Sequence, residues 1–423
     1  MKKVLVIAYY WPPAGGPGVQ RWLKFVKYLR EFGVEPVLYV PQNAQYPITD
    51  HSLANEVPKD IKIYKQPIFE PYRFASWLSG KKTKQISSGI IKTKNQSLTE
   101  KLLLWVRGNF FIPDARKYWV RPSVQFLHGV LREEGIDTII TTGPPHSVHL
   151  IGHQLKQHNE VTWLADFRDP WTSIGYHKKL KLTAMAKNRH KELEQMVLTG
   201  ADTVVVTSQT TKREFSKITR RPISVITNGH DIPAMDAVPL DEKFTLSHIG
   251  SMLSERNPEN LWQVLAELVR ENPAFREALE LRFIGVVGKD VLQRIKANGL
   301  EPYTKVLGYV PHDRAVVHQR RSQVLLLAEI DVAETRGIIP GKLFEYMVSG
   351  RPILGIGPKG WEVADLVAHT KTGTVFEHVG HTELKNVLLN WFGQYRKGSL
   401  RVASQNVEQY ARRELTGQLA QLL

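Results

Sequence analysis

Cysteine is absent from the 423 residues. That absence excludes disulfides, thiolate metal sites and cysteine nucleophiles, and it points to a cytosolic chain. No run reaches the roughly 20 apolar residues needed to span a bilayer. The short apolar run at residues 4–8 gives way at once to Tyr9-Tyr10-Trp11-Pro12-Pro13, so it reads as a first buried strand rather than a signal peptide. An Asp-x-Asp pair, an HExxH motif and any clustered metal-ligand set are also missing, so no metal or other cofactor is expected. What remains has the composition of a folded globular protein, with 42% hydrophobic and 23% charged residues. The length suits two or three domains of roughly 100 to 200 residues each.

Acids are the minority charge: 41 Asp plus Glu face 57 Lys plus Arg, for a net charge of +16. Long-range attraction then favours an anionic partner, whether nucleic acid, acidic lipid or sugar nucleotide. No nucleic-acid motif accompanies the charge, so nucleic acid is not expected. The excess is uneven. Residues 81–101 hold six lysines and one acid in a stretch that reads as an insertion spanning about 80–115. A second basic group, Arg21, Lys24, Lys27 and Arg30, lies opposite the apolar stripe Val19, Trp22, Leu23, Val26 and Leu29 of a helical pattern. With Trp77, Leu102, Leu103, Leu104, Trp105, Phe110 and Phe111 nearby in sequence, these groups predict peripheral association with an anionic membrane surface.

The chain then repeats one grammar twice. Strand candidates at 4–10, 35–40, 61–68, 138–142, 161–167, 203–207 and 223–227 alternate with helical segments such as 148–157 and 182–198. After a Pro- and Asp-containing loop at 232–241 the alternation restarts, with strand candidates at 244–249, 281–287, 305–310, 324–328, 352–356 and 374–377. The expected fold is α/β, two Rossmann-like doubly wound domains facing a central cleft. The expected domains are 1–235 and 236–401, with a C-terminal helix, 402–423, able to pack back on the first domain.

In such sheets ligands bind beyond the carboxyl ends of the strands, so the loops there carry the candidates. Gly15-Gly16-Pro17-Gly18 follows the first strand, where glycine lets backbone amides approach a phosphate. Its spacing is not GxGxxG, and a bare strand-to-helix turn is the alternative reading. Gly250 and Ser251 open a loop holding Arg256, whose fork of donors suits a diphosphate. Arg336-Gly337-Ile338-Ile339-Pro340-Gly341 runs into a helix bearing Lys342, Leu343 and Glu345. Lys342 and Glu345 share a face, where an amine meets phosphate and a carboxylate accepts two ribose hydroxyls. In the first half, Thr142-Gly143-Pro144-Pro145-His146 opens a helix that also carries His149, and Asp166-Phe167-Arg168-Asp169 ends a strand. These last groups suit acceptor hydroxyls or a structural ion-pair network about equally.

The run Gly341-Lys342-Leu343-Phe344-Glu345-Tyr346-Met347-x-x-Gly350-Arg351-Pro352, with Gly250, Arg256 and the Gly15-Gly16 loop before it, resembles family 4 of the retaining glycosyltransferases, which have the GT-B fold. The resemblance covers nearly the whole chain. It implies that Glu345 holds the donor ribose, that Arg256 stands where a diphosphate-gripping Lys is usual, and that Gly16 lies beside the distal phosphate. It also implies that His146 contacts the transferred sugar. Two positions depart from the family's pattern: Gly337 replaces the Glu eight residues before Glu345, and Ser251 stands where Arg is common, leaving Lys342 to supply phosphate charge. The candidate catalytic residues are therefore His146, Arg256 and Lys342. The donor-binding candidates are Gly15, Gly16, Gly250, Ser251, Gly337, Ile338, Leu343 and Glu345 with that cationic pair, and the acceptor-side candidates are Asp166, Arg168, Asp169 and His149. The function implied is sugar transfer from a nucleotide sugar to a saccharide or lipid-linked acceptor in cell-surface polysaccharide or glycolipid synthesis, at the inner face of a bacterial membrane. A sugar-nucleotide 2-epimerase of similar architecture is the alternative, and a basic non-enzymatic surface binder stands below both.

Overall fold

The computed structural model describes residues 1–70, 98–175, 177, 180–231 and 238–423. They form two compact units, Met1–Thr227 with Arg412–Leu423, and Asn228–Ala411.

The first unit holds a parallel sheet of β1 (Lys2–Ala8), β2 (Val34–Pro41), β3 (Lys62–Gln66), β4 (Thr138–Gly143), β5 (Thr162–Phe167), β6 (Thr203–Val206) and β7 (Ile223–Val225). Its order is β3-β2-β1-β4-β5-β6-β7, with Leu5 of β1 beside both Val37 of β2 and Ile139 of β4. Side chains alternate across a strand. Leu5 and Ile7 enter one core with Trp163 and Phe167, while Val4, Val6 and Ala8 enter another with Trp22 and Leu23. Burial on both faces is why an inner strand such as β1 reads as a nearly continuous apolar run.

The second unit repeats the plan with β8 (Phe244–Ile249), β9 (Leu279–Ile284), β10 (Thr304–Gly308), β11 (Val324–Ala328), β12 (Ile353–Gly357) and β13 (Gly373–Glu377). The order is β10-β9-β8-β11-β12-β13. Along β11, Val324 and Leu326 face one core and Leu325 and Leu327 the other. Strand order reverses between β1 and β4 and again between β8 and β11. Each reversal opens a crevice at the carboxyl ends of those strands, the usual ligand position of a doubly wound sheet. Each expected strand is present, with ends displaced by a few residues.

The chain leaves the first unit after Thr227, ahead of the expected boundary, and returns only at Arg412. Residues 402–411 stay with the second unit because the Tyr410 carbonyl accepts from the His230 amide at 3.0 Å and the Tyr410 ring packs on Phe344. The helix Arg412–Ala420 belongs to the first unit. Leu415 and Leu419 enter the core that contains Trp22 and Leu23, and Arg413 pairs with Glu31 at 2.6 Å.

The basic helix face expected to meet a membrane is largely spent inside the protein. Arg21 is buried against Asp166 at 3.0 Å, Lys24 pairs with Glu56, and Arg30 binds Glu35 and Asp60. Only Lys27 of the four is exposed. The helix Pro17–Leu29 covers a sheet whose neighbours supply acids, and a charge pattern along one helix does not reveal them.

Of the expected insertion, Trp77 and the lysines at 81–94 lie outside the described residues. The helix Leu98–Phe110 buries Leu104 and exposes Leu102, Trp105 and Phe110. A buried cluster pins the chain on either side: Tyr9 donates to Glu70 at 2.6 Å, and Arg116 lies 3.2 Å from the same carboxylate.

Candidate functional site

At the reversal point of the second sheet, β8 runs into Gly250, whose φ of 113° suits glycine alone. A Cβ here would also lie 3.2 Å from Lys342 Nζ. The Lys342 amine opens the short helix Lys342–Met347, so it sits against the glycine turn. It donates to His248 Nε2 at 3.0 Å. Burial, then the nearby Arg256 charge, pulls its pKa down to about 7, with Glu329 and Glu345 opposing.

Arg256 follows in the turn after β8. Its guanidinium grips Glu329 through Nε at 2.9 Å and Nη2 at 3.2 Å. Glu329 immediately follows β11, and its side chain is fully buried. Glu345 is held by His312 Nε2 at 2.9 Å and by Gln319 Nε2 at 2.7 Å, both from the helix His312–Arg321. Two cations and a clamped carboxylate therefore gather at the carboxyl end of one parallel sheet, with helix starts alongside. This set suits an anion joined to a polyol.

Other expected donor contacts divide. Ser251 is exposed beside Gly250, and Gly337 and Ile338 are partly exposed in the loop before the helix. The Ile338 carbonyl accepts from Trp361 Nε1 at 2.8 Å. The Leu343 side chain is fully buried in the core, and its amide donates to the Pro340 carbonyl at 2.9 Å. In the first unit the Gly15 amide is spent on the Ile48 carbonyl at 2.9 Å. Gly16, at φ 104°, caps the helix Pro17–Leu29.

Asp166 is likewise committed to the fold. Fully buried, it accepts from Arg21, from Trp22 Nε1 at 2.7 Å and from Thr142 Oγ1 at 2.9 Å. Arg168 donates to the Gly143 and Pro144 carbonyls. Its guanidinium fills the space beside Gly18, where a Cβ would overlap it. Asp169 has no hydrogen-bond partner among the described residues, and burial raises its carboxyl pKa. His149 is a core group: it bonds Thr141 at 2.8 Å, stacks on Phe167 and is pushed down to about 3 by burial.

His146 is different. Its ring stacks on Trp171 with centroids 4.7 Å apart, and neither ring nitrogen has a partner among the described residues. It lines a cavity of about 40 Å³ with Asp114, Trp171, His177 and His190. Burial holds all three histidines neutral, His177 and His190 at about 4. Neutral imidazoles both donate and accept, which matches hydroxyl groups.

Sequence reasoning does not single out Glu329, His248, His312 or Gln319 as site residues. Glu329 had a signal, since it directly follows a buried strand at the reversal point. The other three are ordinary helix or strand residues whose partners lie at least 26 positions away.

The two units, each built on a parallel doubly wound sheet, give the chain the GT-B architecture. Residues 243–391, about a third of the chain, match the family model described as Glycosyl transferases group 1, a match that supports a transferase enzyme. No curated protein matches it in sequence. Among solved structures it resembles the lipopolysaccharide outer core galactosyltransferase WaaB in apo form, at 14% identity over 100% of this chain and 99% of that one, with a TM-score of 0.57. It also resembles WaaG, a glycosyltransferase involved in lipopolysaccharide biosynthesis, at 13% identity over 99% and 95%, with a TM-score of 0.53. UDP-GlcNAc 2-epimerase from Methanocaldococcus jannaschii shares the architecture at 10% identity over 100% and 99%, with a TM-score of 0.50. Such likeness establishes the fold; the family match, which spans β8 to the helix Thr382–Arg396, carries the activity class.

Proposed function

We propose that the chain transfers a sugar, with retention, from a nucleotide-sugar donor to a saccharide or lipid-linked acceptor in cell-surface polysaccharide or glycolipid synthesis. The observation that carries this reading is the grouping of Gly250, Lys342, Arg256 and Glu345 at the reversal point of the family-matched sheet. Glu345 accepts the ribose hydroxyls. Lys342 and Arg256 meet the diphosphate and stabilise its charge as it leaves, and no metal takes part. His146 and Asp169 serve the sugar and acceptor hydroxyls. Retention rests on the family resemblance.

A thermal-shift screen of UDP, GDP and ADP tests the donor reading, since a ligand at a hundred times its Kd stabilises by about 2.7 kcal/mol. Glu345→Ala is expected to weaken the nucleotide that binds by about 10- to 150-fold, because hydrogen bonds to a charged acceptor are worth about 1.5 to 3 kcal/mol. Unchanged affinity in the folded variant removes Glu345 from the site. Donor incubated without acceptor should stay intact; its epimerisation would favour the alternative enzyme.

The acceptor reading extends to a bacterial membrane surface at its cytoplasmic face. Exposed Leu102, Trp105 and Phe110 support it, as do the lysines at 81–94. Sedimentation with anionic vesicles at low salt should pellet the protein. Changing Lys81, Lys82 and Lys84 to Gln should weaken pelleting, and equal, negligible pelleting with anionic and neutral vesicles would end this extension.

A further inference from the structure

His248, next to last in β8, has no part in the donor reading, yet it is buried at the centre of the donor site, with 1% of its surface exposed. Its Nδ1 lies 3.1 Å from the Leu326 carbonyl oxygen. A carbonyl only accepts, so Nδ1 carries the proton and Nε2 presents a lone pair. That lone pair faces the Lys342 amine at 3.0 Å. Among the described residues this is the only hydrogen bond of that amine, which lies so close to Gly250 that a Cβ there would be 3.2 Å from it. The charges around it are Arg256 from the loop after β8, Glu329 from the end of β11 and Glu345 from its own helix. Arg256 spends Nε and Nη2 on Glu329, so of the two cations Lys342 keeps the larger share of its donors for an incoming anion.

On the donor reading given above, we propose that His248 is a positioning residue that holds the Lys342 amine against Gly250, and that binding of a nucleoside diphosphate there takes up one proton at Lys342. The neutral amine keeps one N–H on His248 and offers its lone pair to a proton from solvent. The ammonium so formed meets the diphosphate oxygens. The direction of the pH effect follows. Free Lys342 is half-protonated near pH 7, and an adjacent diphosphate favours the charged form. Affinity therefore declines as pH rises above about 7, because each binding event must then draw a proton from solution.

Calorimetric titration of the full chain with UDP, GDP and ADP at pH 8, in buffers of different ionisation enthalpy, counts that proton. The expected uptake is about 0.9 proton per nucleotide for a group of pKa about 7. Lys342→Arg, which stays charged, should bind with no uptake. His248→Leu should weaken, by about tenfold, binding of whichever of the three diphosphates binds and leave affinity for its nucleoside unchanged, whereas His248→Gln, whose oxygen can accept from the amine, should recover most of the loss. Wild-type binding without uptake, equal uptake in Lys342→Arg, or wild-type affinity of His248→Leu for that diphosphate would overturn the inference. Binding of none of the three nucleotides would overturn the donor reading and this inference together, while binding that fails only the proton count overturns this inference alone.

Discussion

Asp166→Ala is expected to destabilise the protein by about 3 to 5 kcal/mol, the usual cost of removing one partner from a buried ion pair. The carboxylate and the Arg21 guanidinium are both almost fully buried and lie 3.0 Å apart. Arg21 also donates to the Thr227 carbonyl at 2.7 Å, so it cannot swing to water without breaking the end of the first unit. Truncation leaves a buried cation and strips Trp22 Nε1 and Thr142 of their acceptor. Asp166→Asn should cost less, since an amide oxygen still accepts while the charge is lost. Urea midpoints of the three proteins decide the matter. If Asp166 instead touched an acceptor, Asp166→Ala would lose activity at an unchanged midpoint.

Arg256→Ala should lower kcat by about 10² to 10³, the range seen when one donor to a developing negative charge is removed. Arg256→Lys should lose less, keeping the charge but not the two-pronged grip on Glu329. Release of nucleoside diphosphate at saturating donor measures this. Since Arg256→Ala also leaves the buried Glu329 unpaired, its unfolding midpoint should fall as well, and Glu329→Gln shows how much of the kcat loss is mere misplacement. Wild-type turnover in a folded Arg256→Ala protein would remove this arginine from the reaction.

Most of the architecture was legible because both sheets are parallel and their inner strands are covered on both faces. A strand such as Val324–Ala328 is apolar throughout, and its neighbours in sequence cannot hide it. Gly250, Arg256, Lys342 and Glu345 were legible because they lie in loops and helix starts after such strands. Their supports were not. Arg256 and Glu329 are 73 residues apart, and Arg21 and Asp166 are 145 apart. Periodicity along one helix reports which face is polar, but a buried acid on a distant strand and open water give the same pattern. That is why Arg21, Lys24 and Arg30 read as a solvent face, and Asp166 as a candidate for chemistry. The burial of the Leu343 side chain was hidden for a related reason, since residues of one short helix are shared between the core and its open side.

The return of the helix Arg412–Ala420 to the first unit bears on how the protein is made. Residues 228–411, the whole second unit, must be translated before that helix emerges, which takes on the order of ten to forty seconds at roughly 5 to 20 residues per second. Through that interval the nascent first unit lacks Leu415 and Leu419, two fully enclosed members of the core around Trp22 and Leu23. The ribosome therefore displays an incomplete apolar surface on a unit whose sheet is already synthesised, a natural landing place for a chaperone.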